Sequence, residues 1–169
     1  EFKAMLQGIN DTLDAVIGPL NVAATYVDRI SKGDIPPKIT DNYNGDFNTI
    51  KNNLNTCVDA VNALVADAAL LTRAAVEGKL ATRADASKHQ GDFQRVVKGV
   101  NDTLDAVIGP LNIAAGYVDR ISKGDIPPKI TDSYNGDFNA LKNNLNTCIA
   151  AVNALVDDAA TLSRAAIEG

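Results

Sequence analysis

Three side chains in this sequence have reactive chemistry: one histidine and two cysteines. His89 lies between two helical patterns and is followed by Gln90, whereas a histidine that accepts a phosphoryl group on a dimerisation helix is followed by an acidic residue. We therefore expect His89 to be a solvated loop residue. One histidine and two distant cysteines do not make a zinc or histidine-rich metal site. No set of nucleophile, base and orienting group can be assembled, so neither an enzyme nor a cofactor is expected.

Cys57 and Cys148 occupy the same place in an internal repeat, each on an apolar helical face. Such a pair could sense redox change or form a disulfide. We expect instead two small packed apolar residues in a reduced, cytoplasmic chain, because buried free thiols usually behave in that way.

Composition excludes several partners. The 169 residues carry a net charge of −5 and the pI is near 4.7, so we expect no nucleic acid and no anionic membrane surface. No small-molecule ligand is expected either. No apolar run approaches the roughly 20 residues that cross a bilayer, and no signal peptide is visible. A membrane anchor elsewhere in a longer parent protein stays open.

Internal repeats organise the chain. Residues 1–78 realign with residues 92–169, with roughly three quarters of the positions identical. A fainter repeat inside this one gives units of about 45 residues in the order A-B-A. Type A has a Gly-Pro pair and a Pro-Pro loop, whereas type B has Ala63-Leu64 in place of Gly-Pro and a loop one residue longer.

Apolar residues recur at an average spacing of about 3.5, which indicates coiled-coil helices. Helices are predicted over about 2–31, 46–76, 92–122 and 137–168. In the second helix two registers compete beyond Val61, one with Leu64 and Leu71 inward and one with Val65 and Thr72, which implies a stutter or a wider seam. The predicted seam of the first two helices consists of Phe2, Leu6, Ile9, Leu13, Val16, Leu20, Ala23, Val27, Ile30, Phe47, Ile50, Leu54, Cys57, Val61, Leu64, Ala68, Leu71 and Ala75.

The predicted helix ends share one chemistry. A glycine stands where a left-handed C-terminal cap requires it, at Gly33, Gly78, Gly124 and Gly169. An aspartate precedes the first seam residue of each following helix and is the predicted N-cap, at Asp46, Asp92 and Asp137. Pro19 and Pro110 fall inside helical patterns, so we expect a bend or a break at each and interpret both as junctions between units.

The loops between helices are too long for a tight helical hairpin. The 14 residues from Lys32 to Gly45 reach up to about 46 Å, enough to return along the helix so that the next helix runs parallel. Ile35 and Ile39 would then pack on the helices. Two parallel helices leave an open apolar seam, and an identical chain is the simplest partner that closes it.

Polar residues near the helix ends have two interpretations. Asp28-Arg29 and Asp119-Arg120 could be interhelical switch pairs, but we expect ordinary exposed pairs. The Asn-rich run at 51–55 could line a polar seam that sets register. We expect instead that it faces outward, with only Leu54 inside.

These patterns resemble the HAMP domain. The glycine and two aliphatics of its connector match Gly33, Ile35 and Ile39, then Gly78, Leu80 and Ala84, then Gly124, Ile126 and Ile130. Its proline matches Pro19 and Pro110 but is Leu64 in the middle unit. Its acidic residue that opens the second helix matches Asp46, Asp92 and Asp137, with Gly-Asp-Phe in place of the usual Asp-Glu-x-Gly. Ala84 is a small second aliphatic, so the middle connector is expected to be the loosest.

The resemblance implies an all-α fold: a tandem HAMP array of parallel four-helix coiled-coil bundles, formed by a homodimer and stacked into a rod. The implied parts are a partial second helix at 1–17, HAMP domains at 18–61, 62–107 and 108–152, and a partial first helix at 153–169.

The sequence segments 28–36 and 51–55 are most similar to tandem HAMP segments of methyl-accepting chemotaxis proteins. This similarity implies a signal relay, covalently linked to input and output domains, that changes between two bundle packings. Similar arrays occur in hybrid histidine kinases. A passive dimeric spacer and a module that binds another protein's helix are the alternatives.

Overall fold

The structure is a computed structural model that describes residues 1–169, and it contains helices and no strands. Helix α1 spans Phe2–Ser31, α2 spans Gly45–Val76, α3 spans Gly91–Ser122 and α4 spans Gly136–Glu168, with one 3₁₀ turn at Ala86–Lys88. The all-α class is confirmed, and so are the four helices, each within one residue of its predicted bounds. The chain forms two compact units, Glu1–Asn101 and Asp102–Gly169.

The helices end where the glycines predict. Gly33 has a φ of +79°, in the left-handed region that favours glycine. Its own N–H and that of Asp34 donate back to carbonyl oxygens of the last helical turn, each at 3.0 Å, which is the Schellman arrangement. Gly78 and Gly124 repeat this geometry with φ of +72° and +76°. The helix stops are therefore local properties of the sequence.

The predicted aspartate N-caps are wrong. Helices α2 and α4 have Asn44 and Asn135 at the N-cap, and neither side chain makes a capping hydrogen bond. Each of the last three helices begins instead at a glycine with φ between +52° and +55°, which turns the connector into the helix. The aspartates lie in the first turn, where the positive end of the helix dipole stabilises a carboxylate. They are Asp46, Asp92 and Asp137.

Of the bend or break expected at the interior prolines, the break is wrong, because α1 continues through Pro19 and α3 through Pro110, whereas the bend stays a prediction. An interior proline costs about 3 kcal/mol. In α1 the ring is half-buried and lies beside Phe47 and Ile50 of α2, so packing against the next helix offsets part of that cost.

Helices α1 and α2 run parallel. Val16 lies near Phe47 at the start of α2, and Val22 lies near Leu54 one to two turns further along. The connector between them runs the opposite way: Lys38 reaches Asp59 at 2.7 Å, Ile39 meets Asn55, and Lys51 binds the Asp41 carbonyl at 3.1 Å. The connector therefore runs alongside α2 in the opposite direction, back to the point where α2 begins, as the loop length predicted.

Apolar residues fall into two groups within a single chain. A thin buried layer beneath the connectors includes Val58 and Ile149, both 1% exposed. The predicted seam, in contrast, is largely open to solvent: Phe2 is 71% exposed and Val27 is 57% exposed. In α2 Leu64 and Leu71 are half-buried whereas Val65 and Thr72 are exposed, so the first of the two competing registers faces inward within the chain.

One helix, α2, is long and apolar enough to cross a membrane by length and composition. This differs from the expectation that no run approaches that length. The alanines, valines and leucines after Cys57 keep the helix apolar although charges interrupt it. Two of those charges, Asp59 and Asp67, make polar contacts with the connectors, as expected of a helix that packs against protein. Core helices of soluble proteins pass the same test, and within this chain 6% of the apolar stretch of α2 is buried.

Candidate functional site: the three connectors

The three connectors lie between the helices, at residues 32–44, 77–90 and 123–135. The second aliphatic of each is buried: Ile39 and Ile130 are each 7% exposed and Ala84 is 5% exposed. Ala84 is thus as well covered as the isoleucines, but its methyl group fills less space. That the middle connector is the loosest stays a prediction.

One asparagine brackets each buried aliphatic. The Asn55 amide accepts from the Ile39 N–H at 2.7 Å and donates to the Ile39 carbonyl at 3.0 Å. Asn146 makes the same two bonds to Ile130, at 2.7 and 3.0 Å. Asn101 makes them to Ala84, at 3.1 and 2.8 Å. A primary amide fits both groups of one residue, because it presents a donor and an acceptor side by side.

The expectation of an outward Asn-rich face with only Leu54 inside is therefore wrong for Asn55. A signal for these brackets exists in the sequence. Each asparagine stands ten residues after the glycine that opens its helix, at Asn55, Asn101 and Asn146. The spacing identifies a repeated position, but not its partner sixteen or seventeen residues earlier in the chain.

The first aliphatic separates the connector types. Ile35 and Ile126 are half-buried, whereas Leu80 of the middle connector is 42% exposed. The next residue in both type A connectors, Pro36 or Pro127, is fully buried. These prolines therefore pack against the helices as well as preventing a helical restart.

An arginine–aspartate staple closes the glycine turn in type A connectors. Arg29 binds Asp34 through two hydrogen bonds, at 2.6 and 3.2 Å, and Arg120 binds Asp125 at 2.7 and 3.1 Å. Hydrogen bonding to the guanidinium holds the pKa of each aspartate below its usual value. The neighbouring Asp28 pairs with Lys32 at 2.8 Å. Both contacts are local to one chain and exposed, in line with the expectation of ordinary pairs.

The middle connector lacks this staple, because Ala74 and Lys79 occupy the corresponding positions. It has a different set of local hydrogen bonds. Asp85 accepts hydrogen bonds from the Ser87 N–H at 3.1 Å and the Ser87 hydroxyl at 2.6 Å, which nucleate the 3₁₀ turn. Those bonds hold the pKa of Asp85 below its usual value.

His89 is not a solvated loop residue, and that expectation is wrong. Its side chain is 2% exposed and its Nε2 lies 2.6 Å from Oδ2 of Asp67 in α2. The sequence did not reveal this pair because its members are 22 residues apart and only the returning connector brings them together.

The remaining candidates show no reactive arrangement. Cys57 is half-buried and Cys148 is exposed, and both are free thiols. No group of three or more histidine, cysteine, aspartate or glutamate side chains is placed to hold a metal ion. Pro19 and Pro110 line the contact between the two helices of their own unit.

Parallel helices with a coiled-coil repeat, joined by returning connectors, define a helical linker module rather than a catalytic domain. A family model for the HAMP domain matches residues 1–63 and 88–154, which together cover more than half of the chain. The chain belongs to the HAMP domain family and carries it in tandem. HAMP domains are signalling linkers that typically act as dimers between input and output domains, on the cytoplasmic side of membrane receptors.

Proposed function

We propose that this chain is the cytoplasmic signal-relay segment of a bacterial methyl-accepting chemotaxis protein. In this proposal two copies form a parallel homodimer of stacked four-helix HAMP bundles. The modules are 18–61, 62–107 and 108–152, with partial helices at 1–17 and 153–169. The parent protein supplies the sensor input, the output domain and, where present, an inner-membrane anchor.

The open seam carries the proposal. A compact monomer of 17.8 kDa exposes about 8,000 Å², whereas this chain exposes 11,886 Å². The exposed surface includes most of the large apolar residues of the predicted seam in α1, which water solvates poorly. Parallel helices present this seam in the orientation that an identical half-bundle closes by two-fold symmetry.

The alternation of connector types supports a relay rather than a uniform rod. The two type A connectors are held by Arg–Asp staples and buried prolines, whereas the middle one is held by other contacts. Neighbouring modules with different contacts favour different packings, and a two-state element needs this difference to pass on a displacement. The sequence segments 28–36 and 51–55 are similar to those of chemotaxis receptors, which favours a methyl-accepting chemotaxis protein as the parent.

The dimer is tested by sedimentation and by cross-linking of the purified chain. Sedimentation at micromolar concentration should show a dimer. Variants with Cys57 as the one cysteine should oxidise to a cross-linked dimer, because a two-fold seam brings the two thiols together. A cysteine-free chain carrying Asn53→Cys, at an exposed position between two seam residues, is the matched control and should cross-link slowly. A monomer at this concentration would overturn the parallel homodimer.

The relay is tested in the full-length parent by inserting one residue next to Pro19 or Pro110. A relay changes its output when the helix phase changes, whereas a passive spacer retains its output. Regulation of a bound kinase by a methylated hairpin would identify a chemotaxis receptor. Phosphorylation of a histidine within the parent itself would instead identify a hybrid sensor kinase, the alternative that similar tandem arrays suggest.

A further inference from the structure

The contact between His89 and Asp67 replaces an apolar contact of the other two modules. His89 stands two residues before the glycine that opens α3, the position that Tyr43 and Tyr134 occupy in type A connectors. Asp67 stands eleven residues before its helix-ending glycine, as Val22 and Ile113 do in theirs. In each type A module the tyrosine and the aliphatic side chain line one small cavity between the helices.

The two kinds of contact respond differently to displacement. Tyrosine against valine or isoleucine is held by dispersion and burial, which change gradually as the surfaces slide. A hydrogen bond from a ring nitrogen to a carboxylate oxygen depends strongly on distance and angle, so it is either made or broken. At 2.6 Å the bond is short, and the His89 side chain is only 2% exposed to water.

The middle connector is attached to the helices by different contacts from those of the type A connectors. In type A connectors Lys51 and Lys142 bind the Asp41 and Asp132 carbonyls, at 3.1 and 3.2 Å. The corresponding residue in α3 is Val97, which is buried and cannot make this bond. The middle connector lacks that tie and the Arg–Asp staple, and its polar contacts to the helices include the Asn101 bracket, the bond from the Gln94 amide to the Ala86 carbonyl at 3.2 Å and the His89–Asp67 bond.

Asp67 is placed so that the bond can open. Its side chain is 20% exposed, so water replaces the imidazole when the connector moves away. The charged groups near His89, besides Asp67, are Lys88 and Asp85 on its own connector and Asp59 on α2, which pairs with Lys38 at 2.7 Å. From α3 it faces Phe93, which carries no charge.

We infer that the His89–Asp67 bond is a latch that holds the middle connector in one of two discrete positions, and that its release precedes repacking of the middle module. This inference deepens the proposed relay function. It rests on that function only for the claim that opening of the bond is followed by repacking of the middle module. The latch itself is a property of the chain in solution.

Amide hydrogen exchange of the whole chain, read by NMR, tests the latch with an internal control. Each connector has one bracketed amide as reporter: the N–H groups of Ile39, Ala84 and Ile130. Asp67→Asn and His89→Gln weaken the latch with little change in size. We expect the Ala84 N–H to exchange about tenfold faster in both variants, with Ile39 and Ile130 unchanged.

The paired substitution Asp67→Val with His89→Tyr installs the type A contact and completes the test. His89→Tyr alone leaves the Asp67 carboxylate without its partner, so Ala84 should exchange faster. The double variant should restore slow exchange at Ala84, because a complementary contact is present again. Tyr134→His in the last module is the matched control and should affect Ile130 alone. Circular dichroism checks that each variant retains its helices.

Two results would overturn the latch: Ala84 exchange that does not change in the single variants, or equal acceleration at all three reporters, which would indicate global destabilisation. Sedimentation of the same samples separates this inference from the proposed function. A variant that remains dimeric with unchanged Ala84 exchange contradicts the latch alone. A monomeric wild type with a faster Ala84 amide in the variants contradicts the dimer alone.

Discussion

The first and middle connectors both run back between two helices, but different side-chain contacts hold them. The first is held by buried aliphatic and proline side chains, a salt-bridged turn and a lysine that binds its backbone. The middle one has an exposed leucine and a buried alanine at the two aliphatic positions, a 3₁₀ turn and a histidine–aspartate bond. Of the side-chain hydrogen bonds described above, the asparagine bracket is the one that all three connectors share. The path of the connector therefore depends on the bracket, whereas the strength of its attachment depends on the other contacts.

The difference in apolar packing gives the largest expected effect. Ile39→Ala makes the first connector resemble the middle one. We expect it to lower the free energy of unfolding by about 2–3 kcal/mol, because most of the buried isoleucine side chain of the connector is removed. Ala84→Gly in the middle connector removes one methyl group and should cost about 1 kcal/mol. Urea denaturation followed by circular dichroism measures both. Equal losses would contradict the view that apolar burial separates the connector types.

Removing the shared bracket should affect all three connectors alike. Asn55→Ala, Asn101→Ala and Asn146→Ala each leave a backbone N–H and a carbonyl without partners, at about 1–2 kcal/mol after partial hydration. Asn53→Ala, at an exposed position without a bracket, is the control and should change the unfolding free energy little. If the loss is confined to one connector, the bracket is not the common element.

Exchanging the residues at the lysine position sharpens the comparison further. Lys51→Val removes the bond to the Asp41 carbonyl and supplies the residue that the middle module uses. Because this bond is exposed, we expect a change within about 1 kcal/mol. The exchange rate of the Ile39 N–H should nevertheless rise, and the rate at Ile130, where Lys142 remains, should not. An unchanged rate at Ile39 would show that the lysine contributes nothing to the attachment.

The acid response gives the smallest effect. The pKa of Asp34 is lowered in the folded chain by its hydrogen bonds to Arg29, so this group stabilises the fold above its ordinary pKa near 3.8. That stabilisation is lost as the pH falls through the lowered pKa. The difference in stability between wild type and Asp34→Asn should therefore be constant from pH 5 to 8 and shrink below about pH 4. In the middle connector Lys79 stands at that position, and the carboxylate with a lowered pKa is instead Asp85, through its hydrogen bonds to Ser87.

Much of the fold could be predicted because its causes are local. The four helices follow from apolar spacing, and their ends follow from glycines that adopt positive φ. The starts of the last three helices were misjudged by one residue, since the opening glycine, rather than the aspartate, turns the chain. A break of α1 at Pro19 was wrongly allowed for, because the pattern did not show that this proline packs against the next helix.

The candidate site was predicted in part. Burial of Ile39 and Ile130 follows from an aliphatic residue in an extended loop after a helix stop. Asn55 and His89 were misjudged for a shared reason. Each is a polar residue that composition assigns to solvent, and each acquires its partner only when the connector folds back across 16 to 22 residues.

The sequence by itself determined which residues form the four helices, where each helix ends and which face of each helix is apolar, because these depend on neighbours within a turn or two. The tertiary structure decided which polar side chains hold the connectors. A hydrogen bond is satisfied only when donor and acceptor meet at about 3 Å. For Asn55, Asn101, Asn146 and His89 that meeting is produced by the returning path of the chain.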